Sequence, residues 1–420
     1  MTASRPIPLP VAADEPIVSF CIPTYNRGRY LASLLETLAS ELGAFPYSFE
    51  VVIGDNASPD NTAETIAVHQ DRLPIRHLRH ATNIGGFPNW QFVMSQARGR
   101  YIVYVSDDDS ILGRQVAETI AKMEADDAIA VVYAPWLLYD LVAQKPVGQF
   151  YKVPHDLRID RGEHGQLLDH ILRHHIFPEV QITRRAVLQR LMPRINENAF
   201  FAFVHAADYL AHGAVLIQQT PFYVAITNYF ADEQRDQLGN QEVETAWDRY
   251  RGGLEYLLAR AGKRISAEER VGFLARIQQM IALRMSVAIR LRHAARRNPV
   301  DTHVIAMRLR GMGYEALCPV PMNELASAAM LHFLLHDVEL NRGMAQAVCV
   351  GPVDAKFDAY LRQHAPRPVE WVPRLDSLAS LRDTLVFVRA GAACPAPAAV
   401  DAGRNVRLVH EGHLLERFGL

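Results

Sequence analysis

Cysteine is scarce. Cys21, Cys318, Cys349 and Cys394 are the four in 420 residues, and no two of them stand at CxxC or Cys/His ligand spacing. That argues against a zinc site or a disulfide framework and favours a reducing, cytoplasmic setting. Long apolar runs are missing too: no stretch reaches the roughly eighteen apolar residues of a membrane span. Any membrane attachment is therefore expected to be peripheral, at the inner face. The opening MTASRPIPLPVAADEP places prolines and acids where a signal peptide needs an unbroken apolar segment, so residues 1–15 read as a flexible leader. A dominant charge sign is also lacking. The 44 Lys and Arg nearly cancel the 46 Asp and Glu, which leaves no global field for gathering nucleic acid.

The chain is too long for one ordinary core, so more than one domain is expected. From 16 to about 135, short β-branched runs alternate with segments of helical period, the pattern of strands and crossover helices in a mostly parallel sheet. Ile17 to Ile22, Phe49 to Ile53, Tyr101 to Val105 and Ala128 to Tyr133 are the expected strands. Leu31, Leu34, Leu35, Leu38 and Leu42 mark one apolar helix face. A second helix is expected to start after Ser58 as N-cap with Pro59 in its first turn. Residues 136–235, rich in His, aromatics and Pro, are expected to cover the acceptor side, and 236–299 to be helical up to Asn298-Pro299. Residues 300–420 read as a smaller α/β module with strands at Ala347 to Gly351, Val369 to Val372, Thr384 to Val388 and Val406 to His410, a helix over Ala355 to His364, and a loop over Gly391 to Gly403.

Ligands of open α/β sheets sit at the carboxyl ends of the strands, so the loops after each strand matter most. The first loop, Pro23-Thr24-Tyr25-Asn26-Arg27, offers small polar and aromatic groups suited to a base and ribose. The second, Gly54-Asp55-Asn56-Ala57-Ser58, offers a carboxylate and an amide for the edge of a base, although helix capping would explain Asn56 or Ser58 equally well. Ser106-Asp107-Asp108-Asp109 follows the third strand. Three adjacent acids repel one another unless a cation is present, and hard carboxylate oxygens suit Mn²⁺ or Mg²⁺ completed by phosphate oxygens.

IPTYNR, VVIGDNASPDNT, ATNIGGFPNW and YVSDDDSI, in that order over about residues 16–235, resemble the nucleotide-sugar half of the family-2 inverting glycosyltransferases. The resemblance implies a GT-A, Rossmann-like sheet flanked by helices and a metal-dependent transfer of a sugar from a nucleotide diphosphate, UDP first, to an acceptor hydroxyl. It implies that Pro23, Thr24, Tyr25, Arg27, Asp55 and Asn56 line the nucleoside pocket and that Asn83, Gly85 and Gly86 lie beside the diphosphate-sugar. Asp108 matches the metal-binding position, with Asp109 as a second ligand and Asp107 supporting donor or metal. The family's usual first acid is Ser106 here, so the ion would be held mainly once the diphosphate arrives. His205-Ala206-Ala207-Asp208-Tyr209 resembles the segment carrying the catalytic base, with Asp208 as the matching acid.

Three further features carry weaker expectations. His174, His175, Glu179 and Gln181 fall where acceptor-facing residues lie in relatives, yet without metal spacing they read as surface groups. The basic run Arg284, Arg290, Arg292, Arg296 and Arg297 suits anionic lipid or, more simply, a solvated helix face. The C-terminal module carries too little glycine for a phosphate loop and is expected to serve homodimerisation or acceptor recognition. Competing readings are a nucleotidyltransferase and a non-catalytic nucleotide-sugar-binding module; the donor sugar and the acceptor, whether saccharide, lipid-linked or protein, are not encoded in any motif.

Overall fold

Buried β-branched runs build the frame that these loops hang from. The computed structural model describes residues 15–191, 198–231, 243–353, 355–376, 378–393 and 404–419. The expected leader except Glu15, Cys394, the boundary at 235/236 and most of the Gly391 to Gly403 loop lie outside the described residues. The chain divides into two units, Met1–Asp236 with Asp248–Met280, and Gln237–Trp247 with Ile281–Leu420.

The first unit runs β1 (Val18–Thr24), α1 (Gly28–Glu41), β2 (Phe49–Asp55), α2 (Thr62–His69), β3 (Ile75–Arg79), α3 (Gly86–Ser95), β4 (Tyr101–Tyr104), β5 (Ser110–Ile111), α4 (Gly113–Ala125) and β6 (Ile129–Tyr133). It continues with β7 (Trp136–Asp140), β8 (Lys145–Gln149), β9 (Leu157–Ile159), α5 (His164–His174), β10 (Gln181–Arg184), α6 (Arg185–Leu191), α7 (Phe201–His212), β11 (Ala214–Ile217), β12 (Tyr223–Asn228) and α8 (Trp247–Ala261). The main sheet has the order β3-β2-β1-β4-β10-β6-β11-β9. The first four strands are mutually parallel, and β10 is antiparallel to both of its neighbours. A second sheet, β5-β12-β7-β8, gives the expected acceptor side a regular frame that its short, irregular sequence pattern concealed.

The leucine face of α1 packs as its period requires: Leu31, Leu34, Leu35 and Leu38 are buried, each contributing about 1.5–3 kcal/mol of apolar transfer. The second helix starts later than Ser58. The Ser58 hydroxyl instead accepts from the Asn26 amide at 2.9 Å, and α2 begins at Thr62, whose amide donates to Asp60 at 3.2 Å. Parallel pairing places Thr24 opposite Asp55 and Asp55 opposite Arg79, while Cys21 stands opposite Tyr104 at the end of β4. Three polar loops thereby leave the sheet side by side.

The long helix α9 (Ala267–Ala294) leads into α10 (Pro299–Gly311), α11 (Met322–His336), α12 (Val338–Asn341), β13 (Gln346–Val350), α13 (Ala355–His364), β14 (Val369–Val372), β15 (Thr384–Val388), β16 (Val406–His410) and α14 (Glu411–Arg417). Asn298 does more than stop a helix: its side chain accepts from the Val300 and Asp301 amides and caps α10. The second unit's sheet, β14-β13-β15-β16, is wholly parallel and packs on Ala329, Met330, Leu334 and Leu414. The basic run is largely spent on internal partners. Arg292 is buried, its Nε donating to Thr302, with Asp301 at 3.3 Å and Glu244 at 3.6 Å, and Arg297 also faces Glu244. Among the described residues no helix is long and apolar enough to cross a membrane.

Candidate active site

The ends of β1, β2 and β4 bring the three sequence-predicted loops into hydrogen-bonding contact. Thr24, the last residue of β1, donates its hydroxyl to Asp107 Oδ2 at 2.7 Å. Asn56 donates its amide to the Thr24 carbonyl at 3.0 Å and its side-chain Nδ2 to Asn83 at 2.9 Å, while its Oδ1 accepts from the Ile84 amide at 2.8 Å. The Asn83 side chain also accepts from the Gly85 amide at 2.8 Å. Residues separated by as many as 83 positions thus form one polar rim. The cross-strand register creates that rim, because parallel neighbours end at the same height.

Asp55 is wholly buried at the end of β2. Its Oδ1 accepts from the Ser58 amide at 2.8 Å, and its Oδ2 faces the Arg79 guanidinium at 3.3 Å and His77 Nε2 at 3.5 Å. Burying a carboxylate is tolerable only when charge and hydrogen bonds compensate it, which Arg79 and the Ser58 amide do. Arg79 and His77 escaped the motif reading. The signal was present, since the strand-end argument applies equally to β3. Tyr25 is exposed, and Asn26 takes a left-handed backbone at φ 54°. Pro23 pairs with Gly54 inside the sheet.

Gly85 adopts φ 95°, a conformation glycine reaches without a Cβ penalty, and turns the chain into α3. A Cβ on Gly86 would meet nothing within 4 Å, so the helix start is open to a ligand. Gly54 is constrained instead: a Cβ there would stand 2.8 Å from Asn89 Oδ1, and Asn89 donates to the Gly54 carbonyl at 2.7 Å. That bond anchors α3 to the end of β2.

The three acids of the Asp-rich turn have different partners. Asp108 accepts from the Ser106 hydroxyl at 2.7 Å and lies 3.8 Å from the Arg27 guanidinium. Asp109, expected as a second metal ligand, turns to the smaller sheet: Oδ1 accepts from the Ile226 amide at 3.0 Å and Oδ2 from the Tyr223 hydroxyl at 2.9 Å. These bonds tie β12 to the turn, and we leave Asp109 out of the metal set. Burial, with Asp109 beside it, raises the Tyr223 phenol well above its ordinary value and keeps it a donor. Among the described residues no three His, Cys, Asp or Glu side chains converge as a metal cage. One or two carboxylates joined by substrate phosphates is nevertheless the usual way to hold Mg²⁺ or a similar hard ion, and Asp108, only partly covered, fits that arrangement.

Asp208 lies two turns into α7, so capping does not account for it. It is wholly buried, accepts from the Tyr256 hydroxyl at 2.9 Å and lies 3.7 Å from the Arg260 guanidinium, both on α8. One turn earlier, His205 stands against Trp90 of α3 with ring centroids 6.1 Å apart. Desolvation lowers the His205 pKa to about 4, against the opposite pull of Asp208. The other expected acceptor-side groups do not gather here. His174 stacks on His170 along α5, His175 makes the left-handed end of that helix, and Gln181 is buried at the start of β10.

Residues 19–192, which hold all of this rim, match the family model for glycosyl transferase family 2. That region is similar to glycosyl transferase family 2. The chain is also similar to individual relatives. The abequosyltransferase RfbV of Salmonella typhimurium is 36% identical over 114 residues, 26% of this chain and 34% of that protein. The poly(ribitol-phosphate) beta-N-acetylglucosaminyltransferase TarS of Staphylococcus aureus is 35% identical over 95 residues, 22% of this chain and 16% of that protein. The chain therefore spans about a third or less of the length of these curated relatives. A crystal structure of S. aureus TarS 1-349 in complex with UDP-GlcNAc aligns over 72% of this chain and 90% of that one, with TM-score 0.47 and 16% identity.

Proposed function

We propose that this chain transfers a sugar from a nucleotide diphosphate sugar, with UDP-sugars the first donors to test, to an acceptor hydroxyl in one inverting displacement. The observation that carries the reading is the convergence of Thr24, Asn56, Asn83, Asp107 and Asp108 after four adjacent parallel strands within the region that matches the family-2 model. Asp55, held by Arg79, faces the base, and the rim from Asn83 to Gly86 meets the diphosphate. Arg27, already 3.8 Å from Asp108, supplies positive charge to the same phosphates. A divalent Mn²⁺ or Mg²⁺ bound through Asp108 would offset charge on the departing diphosphate.

Asp208 is the general base. Tyr256 and Arg260 fix its carboxylate, which then takes the acceptor proton as the hydroxyl oxygen attacks the anomeric carbon. The diphosphate leaves without needing a proton, so no second carboxylate is required on the leaving side. The names of the matched relatives support a setting in polysaccharide or glycoconjugate synthesis.

The test is nucleotide release from a panel of UDP- and GDP-sugars, with and without Mn²⁺. Wild type should liberate nucleoside diphosphate. Asp208→Asn should keep donor affinity and lose on the order of a hundredfold or more in transfer. Release of pyrophosphate would mean nucleotidyl chemistry instead, and donor binding without turnover would mean a binding module.

A further inference from the structure

A wall of aromatic rings joins the two halves of the site. Phe87, one residue past Gly86, stacks on Trp90 at 5.6 Å and 14°, and Trp90 in turn lies over His205 at 26°. Phe201, the first residue of α7, closes the group with its ring 5.9 Å from both Trp90 and His205. The wall therefore reaches from the start of α3, beside the proposed diphosphate site, to one turn before Asp208.

His205 is out of place in such a wall. The side chain is 1% exposed, and neither ring nitrogen has a hydrogen-bond partner among the described residues. A neutral imidazole carries one donor and one acceptor, and leaving them unmet in an apolar pocket costs stability. An apolar side chain would fill the position without that cost. Burial holds the ring in its neutral form at physiological pH, so it offers both roles at once. A sugar hydroxyl is a ligand group that donates and accepts in the same way, and the partly exposed ring of Phe87 suits the C–H side of a pyranose.

We propose that His205 reads a hydroxyl of the donor sugar and so sets which sugar is accepted, with half-buried Phe201 turning aside to admit it. The inference rests on the nucleotide-sugar reading above. The donor rather than the acceptor meets the wall because the wall begins at the residue following Gly86, where a sugar on the distal phosphate would lie.

The test compares UDP with UDP- and GDP-sugars on the full chain, by calorimetric titration and thermal shift, in wild type, His205→Phe and His205→Gln. His205→Phe should bind UDP as wild type does and melt higher without ligand, because the unmet nitrogens are gone. The extra affinity that the preferred sugar adds over UDP should fall about tenfold, with a matching loss in kcat/KM. His205→Gln should recover part of it. Retention of the full sugar-dependent gain by His205→Phe would overturn the inference while leaving the glycosyltransferase reading intact. So would a lower melting temperature together with lost UDP binding, or a change confined to acceptor KM. If no nucleotide or nucleotide sugar shifts wild type, the underlying reading fails and this inference with it.

Discussion

Lowering the pH gives a quantitative handle on the buried imidazole. His205 holds a pKa of about 4 in the folded chain against 6.5 for the ordinary side chain, because burial disfavours its charged form more than Asp208 favours it. The unfolded chain therefore binds a proton that the folded chain refuses between those values. The resulting penalty is absent above about pH 6.5 and grows as the pH falls towards 4. It reaches about 3 kcal/mol when both states are protonated, and most of it has developed by about pH 4.5. Urea unfolding of wild type and His205→Phe at several pH values from 7 to 4.5 measures it, since every other titrating group is common to both proteins. The difference in stability between the two should shift by about 2–3 kcal/mol in favour of the Phe variant on acidification. Parallel pH profiles would refute the claim that this ring is buried and neutral.

Two substitutions test the frame that holds the site. Gly99→Ala should cost about 1–3 kcal/mol in urea unfolding, because a Cβ there would stand 2.5 Å from the Ser19 amide and 2.7 Å from the Val18 carbonyl carbon; an unchanged midpoint would mean that β1 is set otherwise. Tyr256→Phe removes a hydroxyl donor from the buried Asp208 carboxylate and should lower stability by about 1–3 kcal/mol while sparing UDP affinity. Loss of UDP affinity in that variant would place Tyr256 in the donor site instead.

The parallel frame was legible because its signals are local. The runs ending at Thr24, Asp55 and Tyr104 are β-branched and bounded by polar turns, and the four leucines of α1 with Leu42 at its C-cap repeat over three turns. The strands of the second unit are legible for the same reason, with Val369–Val372, Thr384–Val388 and Val406–His410 at the bounds expected from sequence. The second sheet of the first unit was not. β5 has two residues and pairs with β12 more than a hundred positions away, while β8, although it pairs locally with β7, is largely exposed and lacks an apolar alternation. The bonds of Asp109 to β12 were hidden on that account, since nothing near it in sequence announces Tyr223. The support of Asp208 was hidden in the same way, because Tyr256 and Arg260 lie on a helix that reads as ordinary amphipathic scaffold. The cluster of predicted donor groups became visible through order and spacing of motifs, but only the register of β1, β2 and β3 reveals Arg79 as the partner of Asp55.

The most direct measurement is calorimetric titration of UDP into the full chain with and without Mn²⁺, in wild type and Asp108→Ala. Wild type should bind UDP at least tenfold more tightly with the ion present, and the variant should lose that dependence while remaining folded. Equal affinity under all four conditions would contradict a diphosphate held at the aspartate-rich end of β4.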